Sequence, residues 1–216
     1  ILKKIVFILL IFTSFSYGQL NQKTAFGALC AVGNSIEIFN NSLFIVGQTC
    51  LPFGTNQIVG NSFFAEFDQN GNLLFIDSAI GGELQNYEAT KIIINSLGEK
   101  FILGMFLADS AGNQVNVSMF VQKRDQNNQV LWTKEYVDSL SYVSYYIRDA
   151  AFLENGNIAI AGGFEVAGDS IEPGNPGFPD VDIMMMIVNQ DGQLTLTKRF
   201  GDNLSQDVGF SILNYG

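Results

Sequence analysis

The side chains in this sequence that could perform chemistry are mostly carboxylates. The 216-residue chain contains no histidine, so Ser-His-Asp and Cys-His nucleophile systems and His-containing zinc sites are ruled out. Its two cysteines are too few for a four-thiolate zinc site, and no glycine-rich phosphate loop opens a helix. Two acids alone can hydrolyse a glycosidic bond, one as proton donor and one as base or nucleophile. Asp180 and Asp182 alternate on one strand face, and Glu165 with Asp169 borders a long loop. Nothing in their spacing selects a pair, and solvated loop acids account for them. Asp68-Gln69-Asn70-Gly71-Asn72 spaces its oxygens as a calcium loop does, yet calcium takes about six to eight oxygen ligands. The matching positions later become Asp125, Asn127, Gln129 and then Asn189, Asp191, Gln193. A ligand set that drifts while the turn persists reads as turn chemistry. The expectation is no catalytic residue, no metal and no cofactor.

Those turns belong to a repeat. FIVGQT, FILGMF and AIAGGF each close an apolar triplet with a glycine, at Gly47, Gly104 and Gly162, spaced 57 and 58 residues apart (104 − 47 and 162 − 104). A second landmark keeps register with them. Asn70-Gly71, Asn127-Asn128 and Asp191-Gly192 sit between apolar stretches, and these residue types tolerate the positive φ of a two-residue type I′ hairpin. A third, Asn40-Asn41, Leu97-Gly98 and Asn155-Gly156, precedes each glycine triplet and begins again at Tyr215-Gly216. Each unit then holds four strands in ~58 residues, close to the period of propeller blades.

The runs Lys91-Ile92-Ile93-Ile94 and Ile183-Met184-Met185-Met186-Ile187 are continuous. A strand wetted on one face alternates, whereas one covered on both faces need not. The expected fold is all-β: a β-propeller of four-stranded antiparallel blades, present as an incomplete fragment. About three and a half repeats fill residues 19–216 and continue beyond the C-terminus, since a ring takes typically about four to eight blades. The third unit carries an extra loop, Gly168 to Asp180, whose prolines and glycines are expected to stop its strands.

The first residues have a different character. Lys3 and Lys4, the apolar run Ile5 to Phe12 and the small-residue site Ser16-Tyr17-Gly18 have the layout of a secretory signal peptide over residues 1–18. The run is too short for a membrane span, which needs roughly 20 apolar residues, so no span is expected after cleavage. Export makes a disulfide between Cys30 and Cys50 credible, with two buried thiols as the alternative. A net charge of −10 argues against nucleic acid and against an anionic membrane surface. A hydrophobic content of 47% is enough to build a core rather than a disordered chain. The expected location is extracellular or at the cell surface.

The unit FI[VL]G, followed by D-x-N-G, an aromatic position and then K-x-[FY], resembles the secreted β-propeller repeats of Bacteroidota related to the SBBP and delta-60 repeats. Leu131-Trp132-Thr133-Lys134-Glu135-Tyr136 and Leu196-Thr197-Lys198-Arg199-Phe200-Gly201 carry it, with Phe75 in the place of Trp132. The resemblance covers residues 36–216 and implies architecture, not an activity. It also implies a sorting domain for type IX secretion further along such proteins. Asp-Ser at 77–78, 109–110, 138–139 and 169–170 resembles the O-glycosylation sequon of exported proteins of that group, making Ser78, Ser110, Ser139 and Ser170 candidate glycan sites. Asp-Ser also suits loop starts by local hydrogen bonding. Two functions are therefore in view. One is a non-catalytic propeller whose loops bind a protein or glycan. The other is a carboxylate-based polysaccharide-active enzyme with its site at the channel mouth.

Overall fold

The structure, a computed structural model, describes residues 31–49, 62–78, 80, 87–110, 114–136, 143–170, 179–201, 209 and 211–212. Twelve strands run in chain order: β1 (Ala31–Phe39), β2 (Ser42–Thr49), β3 (Ser62–Phe67), β4 (Leu73–Asp77), β5 (Tyr87–Ile94), β6 (Lys100–Ser110), β7 (Gln114–Arg124), β8 (Val130–Tyr136), β9 (Val143–Phe152), β10 (Ile158–Ser170), β11 (Pro179–Val188) and β12 (Leu194–Phe200). Among the described residues there is no helix. β1 to β4 form one antiparallel sheet in sequence order. β5 to β8 and β9 to β12 form two more antiparallel meanders, which touch at a single parallel bridge, Val117 to Ser144.

The recurring glycines have a common backbone cause. Each first strand carries one extra residue opposite the second: Asn34, Thr90 and Arg148 bulge where the register shifts. The glycine faces that bulge, pairing Gly47 with Gly33, Gly104 with Ala89 and Gly162 with Ile147. A Cβ on Gly47, Gly104 or Gly162 would land on the carbonyl oxygen of Val32, Glu88 or Tyr146 respectively. Backbone approaches this close exclude any side chain.

The short turns fall where the sequence places them, but their geometry differs from expectation. Only Asn40-Asn41 has positive φ at both positions, 48° and 65°, as a type I′ turn requires. At 68–72 the turn closes through Gly71 N–H to Asp68 O (3.0 Å) and Asp68 N–H to Asn72 O (2.9 Å), with positive φ at Gly71 alone. The same five-residue form recurs at 95–99, 125–129, 153–157 and 189–193. The extra residue is selected by the side chain that opens most of these loops. Asp68 Oδ1 accepts the N–H groups of Asn70 and Asn72, both at 2.8 Å. Asp125, Asn189 and Asn95 bond their own loops in the same way. Those oxygens hold backbone rather than facing outward as ligands.

Both faces of the central strands are apolar, which explains the unbroken runs. Ile92 joins a cluster with Phe44, Val46, Phe64, Ile102 and Phe120 between the first and second meanders. Its neighbour Ile93 joins Phe101, Val121, Ile160, Met184 and Met186 between the second and third. Trp132 is half-buried, because β8 is the outermost strand of its meander. Its ring meets Phe101 edge-on at 6.1 Å and lies against the turn at Gly192. Phe75 packs on the preceding cluster in the equivalent place. The third unit's strands run further than its prolines suggested: β10 continues to Ser170, which pairs with Pro179 at the start of β11. Residues 171–178 of that insertion lie outside the described residues, as do the proposed leader 1–18 and both cysteines.

Candidate functional site

The first strand of each meander packs on the first strand of the next, β1 on β5 and β5 on β9. The bulge re-aims the residue after it, so Ser35, Lys91 and Asp149 occupy equivalent places in this inner row. Lys91 Nζ reaches Asp149 Oδ1 at 2.8 Å. Asp149 Oδ2 accepts Ser211 Oγ–H (2.9 Å) and the Ile212 N–H (3.0 Å). Burial pushes the Asp149 carboxyl up, but Lys91 and these donors outweigh it and hold the group below its ordinary 3.8.

Two further carboxyls of the row behave oppositely. Burial raises Glu37 above its ordinary 4.5, with Lys91 offsetting part of the effect and Asp149 adding to it. Burial likewise raises Glu88 on β5, opposed by the Arg148 guanidinium. Within one row, burial thus raises the Glu37 carboxyl while pairing lowers that of Asp149. Sequence reasoning did not single out these residues. The available signal was a charge shortly past each bulge: Glu37 after Asn34, Lys91 after Thr90 and Asp149 after Arg148.

Of the acid pairs considered from sequence, Asp180 and Asp182 lie two residues apart on β11, and Glu165 and Asp169 both lie on β10. Glu165 Oε2 accepts the Tyr146 hydroxyl at 2.7 Å. Glu165 pairs with Val181 and Asp182 with Phe164, so Glu165 and Asp182 lie on opposite faces of the β10–β11 ladder. Of the groups around Asp68, Asp125 and Asn189, all three oxygens cap their own turns.

The two ends of the meanders are unlike. The short turns 40–41, 68–72, 95–99, 125–129, 153–157 and 189–193 gather at one end. At the other, β2, β4, β8 and β10 run out into longer connections, while β6 and β7 are joined by residues 111–113 alone. The Asp-Ser serines fall at that second end: Ser78 is exposed just past β4, and Ser110 and Ser170 are the last residues of β6 and β10. Ser139 lies outside the described residues. Asp77, which precedes Ser78, is engaged by Arg124. Ala31 pairs with Thr49 where the β1–β2 ladder ends at that same end; Cys30 and Cys50, next to them in sequence, lie outside the described residues. No protein-family model matches the chain, and no curated protein matches it.

Proposed function

We propose that this protein is a secreted or cell-surface β-propeller without catalytic activity, whose long connections bind a protein or glycan partner. The observation that carries the reading is the division of labour between the two ends. At one end the loops are short and their side chains are spent on capping their own backbone. At the other, connections of unequal length leave a scaffold of repeated strands, the usual arrangement for recognition loops. The Asp-Ser motifs gather there too, which suits attached glycans beside an exposed recognition surface.

The competing reading, a polysaccharide-cleaving enzyme, draws on the unequal environments of Glu37 and Asp149. One experiment separates them. The exported protein is presented to a panel of polysaccharides, with binding read by calorimetry and cleavage by release of reducing ends. Binding without release, abolished by shortening the 171–178 connection, is expected. Release of reducing ends that disappears in Glu37→Gln would replace the binding function with the enzyme.

A further inference from the structure

The two seams between meanders are built from different chemistry at equivalent positions. On the second meander, Lys100, Gln122 and Arg124 face the first, alongside Ile102 and Phe120. On the third meander, the corresponding positions facing the second are Ile158, Met186 and Val188, all in the apolar cluster. Lys100 and Arg124 are each only 2% exposed. Arg124 donates from Nε to Gln122 Oε1 (2.7 Å) and from Nη1 to Asn128 O (3.1 Å), and from Nη2 it pairs across the seam with Asp77. Its guanidinium also lies over the Phe64 ring of the first meander, 5.0 Å from the centroid. Asn128 sits where the other four turns of this form carry Gly71, Gly98, Gly156 and Gly192. It accepts a φ of 68° there while its amide donates to Glu66 Oε2 across the seam at 2.7 Å. Lys100 Nζ is held by the carbonyls of Asp125 and Gln126 and lies 5.1 Å from the centre of the Phe44 ring.

The outward faces differ in the complementary way. Glu66 and Asp77 of the first meander correspond to Lys123 and Lys134 of the second. Lys123 is neutralised within its own meander by Glu99 at 2.9 Å. At these positions an acidic outward face therefore meets a basic inward one, and a basic outward face meets Ile158, Met186 and Val188, with Arg199 further along the same face over the Phe164 ring. Stacking the first meander directly on the third would instead set Glu66 and Asp77 against Ile158, Met186 and Val188. Uncompensated buried charge and like-charge contact are the strongest penalties available at an interface.

We propose that Glu66 and Asp77 on the first meander, with Lys100, Arg124 and Asn128 on the second, form a charge key that fixes the order in which the repeated units stack. The key works by exclusion: near-identical sheets would otherwise have interchangeable faces.

The test uses hydrogen exchange on the whole chain, resolved by meander. In Glu66→Lys/Asp77→Lys, the first meander acquires the outward charges of the second. Amides of β1 to β4 should then exchange at least tenfold faster, while those of β9 to β12 stay unchanged. Adding Lys100→Ile, Gln122→Met and Arg124→Val transplants the third meander's inward residues, and should restore most of the lost protection. If the lysine pair folds poorly, Asp77→Asn is the milder probe, and it should loosen the first meander alone. Unchanged exchange in these variants, equal loosening of all three meanders, or failure of the transplant to restore protection would each overturn the key.

Discussion

Replacing Gly104 by alanine isolates the backbone device behind the repeat. The added Cβ would lie 2.6 Å from Phe120 Cε1 and 2.9 Å from Ala89 Cα, and on top of the Glu88 carbonyl oxygen. Phe120 can rotate a little, but the other two atoms belong to the backbone of β5. Overpacking of this kind costs about 1–3 kcal/mol. Prising β5 away would also weaken one or two ladder hydrogen bonds, each worth about 1 kcal/mol. Loss of glycine's freedom in the unfolded chain returns about 0.4–1 kcal/mol. The net expectation is a destabilisation of about 2–4 kcal/mol. Gly33→Ala is the control, because its nearest atom is the Ile45 Cγ2 methyl carbon at 3.3 Å and its φ is not positive. It should be close to neutral. Gly71→Ala meets nothing within 4 Å but has a φ of +83°, so it should cost only the left-handed penalty of about 1–2 kcal/mol. Urea denaturation of the three variants should rank them Gly104, Gly71, Gly33 in decreasing damage. A Gly104→Ala midpoint no lower than that of Gly33→Ala would refute the argument that a bulge demands this glycine.

Trp132→Ala should cost about 2 kcal/mol in the same assay, less than the roughly 3–5 kcal/mol of a fully buried aromatic, since the ring is half-buried. Glu37→Gln should stabilise the protein at neutral pH. Because the folded carboxyl sits above its ordinary 4.5, its stability contribution is present below that value and lost as pH rises through the raised one. The gain should therefore vanish in acid, and an equal gain at all pH values would show that ionisation is not the cause. Were the chain exported as proposed, thiol titration without reductant should find no free cysteine, the expected outcome of pairing Cys30 with Cys50.

Much of the scaffold was legible because glycine and turn residues report backbone geometry directly. Gly47, Gly104 and Gly162 mark three bulges, and the Asn-Gly or Asn-Asn pairs at 40–41, 70–71, 127–128 and 155–156 mark four turns, whatever the surrounding side chains. The turn type was misjudged for a physical reason. Asp68, Asp125 and Asn189 read as turn chemistry, but the residue pairs alone do not show that each Oδ1 gathers two N–H groups and so selects the longer loop. The charged seam was not legible at all. Lys100 and Arg124 stand at strand ends next to polar turns, where a sequence reading places them in solvent. Only the neighbouring sheet, bringing Asp77 and Phe64 over Arg124, turns them into buried contacts.

The inner row shows how one local device serves both structure and chemistry. The residue inserted opposite each glycine adds a half-step to the alternation of β1, β5 or β9, so the next side chain emerges on the other face. Without that shift Lys91 would point away from Asp149, and Asp149 could not also receive Ser211 and Ile212. The glycine is thus tied to the placement of the charges through the bulge it accommodates. Gly162→Ala should therefore disturb more than packing: it should expose the Ile212 amide, held at 3.0 Å by Asp149. Hydrogen exchange at Ile212 reads this directly. Asp149→Ala should speed that exchange to the same extent while leaving the β9–β10 ladder protected, whereas Gly162→Ala should loosen both. Retention of Ile212 protection in Gly162→Ala would mean that the bulge and the inner charges are independent features of the fold.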